Sequence, residues 1–448
     1  MKKSAKHLLP VLLALGSFSI VQAQDTLQLN FRDAVILALE KNLEYQIQVN
    51  QMEVLQKEKQ VAMLSHLPSV GVNSNFLRQS GQQFQQVEGE IVVTNVTNDI
   101  ISGNLNANLP VFNSGRRILD TQSAKLAYEA GEKGLERAKQ QITFDVAGRY
   151  LQVLLDMELL RIARQNTANQ KEILRQIEGF VDAGLRTVSD LYNQQSEVAR
   201  VESVEVDAEI ALENDLWAFT EYLQLDPGVV PALEAVDPAQ ALREFQEYGV
   251  EELYDLAVRN RADKAQQTLL KDSFQKDLKA TKAMYYPRIN AFYNYNTFFT
   301  SLDDRSIQEQ FLKIYPQNTL GFNLIIPIFS NFQSRLDVAR SKVAYQNQVL
   351  REKAIDRKVY QDVKLSHQNY QAAVRKESNT QVQVQAAEEA YKAVQERFRL
   401  GLSTFVDLAT ANQQLVRAQA DQAQALYTMF FQDVLMRYSL GTLDFIQE

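Results

Sequence analysis

The chain repeats a short motif at two positions separated by almost half its length. The first copy, FVDAGLRTVSDL, spans Phe180 to Leu191, and the second, FRLGLSTFVDL, spans Phe398 to Leu408. Both contain a Gly-Leu-x-Thr-x-x-Asp-Leu core, displaced by 217 positions, and Pro110 and Pro327 are displaced by the same amount. Self-similarity at this distance indicates a duplicated structural unit. Two equivalent units favour a symmetric, self-associating assembly over one asymmetric catalytic cleft.

All nine prolines stand where the sequence pattern changes, which leaves long windows without a helix breaker. A proline inside a helix costs about 3 kcal/mol, so these windows can form uninterrupted helices. The longest window, 330–399, would make a rod of roughly 100 Å at about 1.5 Å per residue. We therefore expect an elongated, mainly helical protein rather than two or three compact domains.

The N-terminal segment 1–23 has the pattern of a secretory signal peptide. Lys2, Lys3 and Lys6 precede a short apolar stretch, and Val21-Gln22-Ala23 forms a cleavage site of small residues. The chain has no cysteine, which excludes a disulfide framework, thiol chemistry and a lipoprotein anchor. A formal net charge of −8 argues against nucleic acid as a partner.

Each half is predicted to contain a short helix, two strands and two long helices, in that order. Leu105, Ala107 and Leu109 alternate with asparagines, and this period of two indicates a strand whose faces meet different solvents. The polar segments 78–99 and 300–316 are predicted to be loops. We expect one helix from Asn30 to about His66 and a counterpart that ends before Pro287. The predicted strands are 69–77, 101–112, 288–299 and 318–329, and the predicted long helices are 115–182, 186–225, 331–399 and 403–440.

These elements divide the chain into a first repeat (24–227), a connection (228–250) and a second repeat (251–448). A soluble four-stranded sheet packed on helices is one interpretation of the strands, and a soluble coiled coil is one interpretation of the helices. Helices of about 60 residues are unusual in ordinary α+β domains. Alanine and valine also spread over a broad belt of each helix, as a helix with neighbours on both flanks and water on one side requires.

If the apolar strand faces meet lipid, the sheet must close, because unpaired backbone groups in hydrocarbon cost several kcal/mol each. Four strands cannot close alone, since the smallest single-chain barrels have about eight. Two copies would give eight strands with a filled interior, whereas three copies give twelve and begin to leave a lumen. The pattern thus predicts a homotrimer in contact with outer-membrane lipid, with asparagines lining the lumen.

The order of elements, the duplication and the two Gly-Leu turns together resemble the TolC-type outer-membrane efflux protein family over Leu27 to about Asp444. The resemblance implies a trimer in which a twelve-strand outer-membrane β-barrel continues into a periplasmic α-helical barrel, with the connection near an equatorial collar. It also implies a passive exit duct in tripartite efflux or type I secretion. The implied partners are a periplasmic adaptor (membrane fusion protein) and an inner-membrane transporter, which is expected to choose the cargo.

By the same resemblance, the two Gly-Leu turns lie at the periplasmic tips of helical hairpins, where the adaptor docks. Glycine permits the positive φ that reverses the chain, leucine offers an apolar contact, and threonine can cap the next helix. The alternative is that these turns are simple corners between helices. The docking residues implied are Gly184, Leu185, Thr187, Gly401, Leu402 and Thr404.

The resemblance also implies a periplasmic gate near these turns. Three-fold symmetry would bring three copies of Asp407 into a negative ring whose mutual repulsion raises the carboxylate pKa. Asp190 and Asp407 could instead only favour the dipoles of their helices. Thr410 and Ser403 stand where some relatives have a second aspartate and a latching arginine, and Arg186 could take over that link.

An enzyme and an adaptor are the competing interpretations. His7, His66 and His367 are scattered, and no phosphate-binding loop or nucleophile motif occurs, so we expect no catalysis, cofactor or metal. A periplasmic coiled-coil adaptor or scaffold would have one hairpin and a lipoyl-like β-domain. Here the hairpin occurs twice and follows alternating strands each time, which favours the channel.

Overall fold

The computed structural model describes residues 26–87, 89–226, 228–235 and 244–443, so the predicted signal peptide 1–23 lies outside it. Most of the described residues are helical. In chain order the elements are β1 (Thr26–Leu29), α1 (Phe31–Lys41), α2 (Leu43–Leu64), β2 (Ser69–Val87), β3 (Glu90–Phe112), α3 (Arg116–Asp182), α4 (Val188–Tyr222), β4 (Val230–Leu233), α5 (Val250–Asn260), α6 (Ala262–Lys282), β5 (Arg288–Thr300), α7 (Ile307–Glu309), β6 (Gln317–Ile325), α8 (Gln333–Arg399) and α9 (Phe405–Leu440).

The two longest helices, α3 and α8, each have 67 residues and are displaced by 217 positions. Each begins after two residues in the left-handed region, Ser114 and Gly115 before α3, and Asn331 and Phe332 before α8. These residues set the helix starts at 116 and 333 rather than at the predicted 115 and 331. Similarly, α4 ends at Tyr222 rather than 225, because Gln224 has a φ of 53°.

The predicted single helix from Asn30 to His66 is wrong, since the chain breaks at Asn42 between α1 and α2. Asn42 has an extended backbone (φ −65°, ψ 117°), and its side chain accepts a hydrogen bond from Tyr45 N at 2.9 Å. Arg261 breaks the second repeat in the same way between α5 and α6 (φ −69°, ψ 117°). These positions are displaced by 219, so the break belongs to the duplicated unit.

The four long strands form one antiparallel sheet in the order β2-β3-β5-β6. The predicted loop over 78–99 is wrong, because β2 and β3 remain paired as far as Val87 and Glu90. Threonine and valine recur through this segment, and both residue types favour an extended backbone. At the opposite edge β6 ends at Ile325 rather than 329, since Pro327 cannot donate a hydrogen bond to a strand ladder.

The helices pack side by side in two tiers that α3 and α8 join. Near the sheet, α3 contacts α2 and α6, and α6 contacts α8. Farther from the sheet, α3 contacts α4 and α9, and α9 contacts α8. At mid-length, β1 pairs with β4 from the connection 228–250, of which 236–243 lies outside the described residues. Among the described helices, none has the length and apolar character needed to cross a membrane.

Candidate functional site at the hairpin tips

The two hairpin tips share one backbone design. Gly184 and Gly401 have φ values of 72° and 74°, which residues with a side chain rarely adopt. Leu185 N donates to Phe180 O at 2.8 Å, and the equivalent Leu402 N donates to Arg397 O at 2.8 Å. These bonds satisfy the last carbonyls of α3 and α8, as in a Schellman motif. Each glycine is therefore required by the turn itself.

Each tip threonine and aspartate cap the following helix reciprocally. Thr404 Oγ1 accepts from Asp407 N at 3.2 Å, and Asp407 Oδ2 accepts from Thr404 N at 2.9 Å and from Thr404 Oγ1 at 2.7 Å. Thr187 and Asp190 form the same capping box in the first repeat. Because the capping threonines have an extended backbone, α4 and α9 start at 188 and 405 rather than at the predicted 186 and 403.

The hydroxyl and backbone N–H of Thr404 lower the pKa of Asp407 below its ordinary value, with a smaller contribution from Arg397. The ring of three Asp407 carboxylates was expected to raise this pKa by repulsion. In the single chain the direction is the opposite, because hydrogen-bond donors stabilise the charged form. Asp407 and Thr410 are both exposed, one helical turn apart on α9.

Apolar side chains project from both tips. Leu185 and Leu402 are 71% and 66% exposed, as a docking contact requires. Val188, the first residue of α4, and Val406, the second residue of α9, are 55% and 68% exposed. Sequence reasoning missed these valines, although each is an apolar residue in the first turn of the helix that follows a tip. Each tip thus presents a leucine and a valine beside its capping box.

Arg186 joins the two tips. It donates from Nη2 to Phe398 O at 2.6 Å, and its guanidinium lies 4.2 Å from the centroid of the Phe398 ring. Phe398 is 5% exposed and packs with Ile177, among others, in an apolar cluster shared by both hairpins. Ser403, at the equivalent position of the second repeat, donates only to Val394 O of its own hairpin, at 3.4 Å. The hydrogen bond between the two tips therefore comes from the first repeat.

Comparison with known proteins finds one family twice along the chain. A family model described as "Outer membrane efflux protein" matches residues 36–223 and 253–441. The chain is 22% identical to the outer membrane protein TolC of Vibrio cholerae over 77% of each chain. It is 28% identical to the pyoverdine export outer membrane protein OpmQ of Pseudomonas aeruginosa over 72% of this chain and 65% of OpmQ. The crystal structure of CusC superposes with a TM-score of 0.78 at 15% identity, covering 93% of both chains.

Proposed function

The chain belongs to the outer membrane efflux protein family, and from this premise we propose that three copies assemble into a passive exit duct across the outer membrane. Outer-membrane location and efflux follow from the family, which is one of channels and not of enzymes. The competing interpretation as an adaptor is not favoured, because the family matches both halves of the chain.

The observation that carries the proposal is that the two repeats contact each other on one side only. Within the chain, β3 of the first repeat pairs with β5 of the second, and α3 packs against α6 and α9. If the same contacts are repeated between copies, β6 pairs with β2 of the next copy, and α8 packs against its α2 and α4. Repetition of one contact around a ring closes an assembly without an open edge.

The surfaces that this scheme would bury are apolar and exposed in the single chain. Val343 on α8 is 52% exposed, and Ile210 and Trp217 on α4 are 51% and 66% exposed. Exposed apolar surface of this extent favours a protein partner, because removing apolar surface from water stabilises an assembly by about 25 cal/mol per Å². Their equivalents in the other repeat, Leu126 on α3 and Tyr427 and Val434 on α9, are half-buried or buried within the chain. A neighbouring copy therefore fits these flanks.

The sheet supports the same closure. Strands β2 and β6 are its edges, and alternation gives it an apolar and a polar face. Three copies would supply twelve strands, with the apolar face toward lipid and Asn104, Asn106 and Asn294 toward the lumen. Hydrophobic tips around the capping boxes support docking of a periplasmic adaptor, which would connect the duct to an inner-membrane transporter.

A disulfide experiment tests the ring directly. Asn412 Nδ2 donates to Asn166 Oδ1 at 3.0 Å, which fixes a contact between α9 and α3 inside the chain. In the other repeat, the position equivalent to Asn412 is Gln195 and the position equivalent to Asn166 is Gln383. Both glutamines are exposed in the single chain. Because the chain has no cysteine, the double variant Gln195→Cys, Gln383→Cys should give dimers and then trimers on oxidation.

The matched control is the double variant Asn166→Cys, Asn412→Cys, which should crosslink within one chain and add no oligomer. If oxidation yields crosslinked dimers and no trimers, the assembly has two copies rather than three. Failure of the Gln195 and Gln383 pair to crosslink, while the control pair does so, would refute the ring.

A further inference from the structure

The segment between β5 and β6, predicted to be a polar loop, is a folded unit that we name the 301–316 cap. It contains α7 and one π-helical turn, Gln310–Ile314. Gln310 is fully buried, and its Nε2 donates to the carbonyls of Thr300, Asp303 and Arg305 at 3.2, 3.0 and 2.7 Å. Its Oε1 accepts from Thr300 N at 3.0 Å. One buried amide therefore ties the π-helical turn to the end of β5 and to the first residues of the cap.

Phe311 of the cap lies against one face of the sheet, and Tyr315 stacks on Phe298 of β5, which belongs to the other face, with ring centroids 4.1 Å apart. A Cβ atom placed on Gly103 of β3 would lie 3.0 Å from the Phe311 ring, so the absent side chain leaves room for that ring. Thr297, which pairs with Gly103 across β3 and β5, donates from Oγ1 to Phe311 O at 2.7 Å. Phe311 therefore contacts Gly103 and Thr297 on the same face of the sheet.

That face is the apolar one. Along β3, Gly103 alternates in step with Ile101 and Leu105, whereas the asparagines occupy the other face. On β6 the same face carries Leu320 and Phe322, which are 76% and 72% exposed. The cap adds two exposed apolar side chains, Ile307 and Leu312, which are 47% and 62% exposed.

We propose that the 301–316 cap anchors the channel in the outer leaflet of the membrane, with Leu312 and Ile307 buried among lipid at the rim of the barrel. The inference rests on the proposed barrel, whose lipid-facing wall the cap continues. A neighbouring copy is a poorer occupant, because it would join at the edge strands β2 and β6, whereas Phe311 sits over β3 and β5 in the middle of the sheet. Apolar side chains beside exposed charges such as Lys313 are typical of a membrane interface.

Site-directed fluorescence tests the anchor in the assembled protein. Single-cysteine variants Leu312→Cys and Ile307→Cys are labelled with an environment-sensitive NBD probe and reconstituted into vesicles that contain shallow doxyl-labelled phospholipid. Both labels should emit at shorter wavelength than in water and lose fluorescence to the doxyl lipid. Gln308→Cys, an exposed polar position on the same cap, is the matched control and should be quenched by aqueous iodide instead.

A label on Phe322→Cys, on the apolar face of β6, distinguishes a wrong anchor from a wrong barrel. If the label at 322 is quenched by lipid but those at 307 and 312 respond only to iodide, the anchor is refuted and the barrel stands. If the label at 322 also responds only to iodide, the lipid-facing wall is refuted, and the anchor with it. Two cap positions are used so that misassembly of one variant does not decide the result.

Discussion

Arg186 and Phe398, 212 positions apart, make the one described side-chain hydrogen bond between the turn of the first hairpin and the end of α8, at 2.6 Å. The same arginine also stacks on the Phe398 ring. Guanidinium groups suit this double contact because they are planar, weakly hydrated and always charged. The residue therefore restrains the separation of the two tips, and in the proposed trimer this restraint acts at the narrow end of the duct.

Replacing Arg186 by alanine should loosen the tips. A hydrogen bond from a charged donor contributes about 1.5 to 3 kcal/mol, so the open population should rise by roughly tenfold or more. Conductance of the purified channel in planar bilayers should increase. Arg175→Ala, which removes an exposed arginine paired with Glu172 on the same helix, is the control and should leave the current unchanged. Equal currents for wild type and Arg186→Ala would exclude a latch at this position.

Replacing Asp407 by asparagine should weaken cation selectivity and block by divalent cations. In the wild type, selectivity should persist down to about pH 4 and be lost only as the pH falls through the lowered pKa of Asp407. Thr404→Ala removes the hydroxyl that lowers this pKa, so the loss of selectivity should then move to higher pH. Asp190→Asn reports on the equivalent position in the first repeat. Identical reversal potentials for Asp407→Asn and wild type would place the constriction elsewhere.

A wild-type midpoint above the ordinary aspartate value of about 3.9 would show that repulsion within the ring exceeds the capping effect. A midpoint below that value would show the reverse. Both outcomes are read from the same titration of reversal potential against pH.

Asp156 should make the stability of the channel depend on pH. It is 5% exposed on α3, and burial, together with a hydrogen bond to Asp215, raises the pKa of Asp156 to about 7. The unfolded chain releases this proton near pH 3.9, so the folded state binds more protons between about pH 4 and 7. The free energy of unfolding should therefore fall as pH rises through this window and then level off.

Asp156→Asn should flatten this profile and raise the unfolding temperature at pH 8, as measured by thermal denaturation of the detergent-solubilised protein. Asp182→Asn, at an exposed position on the same helix, should reproduce the wild-type profile. A wild-type unfolding temperature that does not change between pH 5 and 8 would contradict the prediction.

Gly115→Ala should destabilise the protein by about 1 to 2 kcal/mol, because Gly115 has a φ of 80° at the start of α3. Gly179→Ala offers a matched comparison inside the same helix, where no atom would crowd the new Cβ. That change should stabilise α3 by up to about 1 kcal/mol, since alanine is the better helix former. Thermal denaturation of both variants measures the two shifts, and a change of the same sign in both would contradict this account of the turn.

The resemblance to the TolC-type family is confirmed, and the local signals behind it explain why it was visible. Proline placement, period-two alternation and the Gly-Leu turns each act over a few residues. The breaks at Asn42 and Arg261 were missed because neither residue type forbids a helix. The pairing of β2 with β3 beyond Leu77 was missed because the glutamines and asparagines of this segment are typical of loops. The contact between Arg186 and Phe398 depends on how the two repeats pack, which no short pattern encodes.

Because α3 and α8 run without a break from the strands to the tips, each behaves as a rigid rod. In the proposed duct, a change of tilt at the tips, where an adaptor would dock, should reappear at the sheet end, since the helix between them has no break to absorb it. The shorter helices beside them, jointed at Asn42 and Arg261, can accommodate the resulting slip. In the proposed duct, movement of the tips and the width of the barrel mouth would thus be mechanically coupled within one subunit.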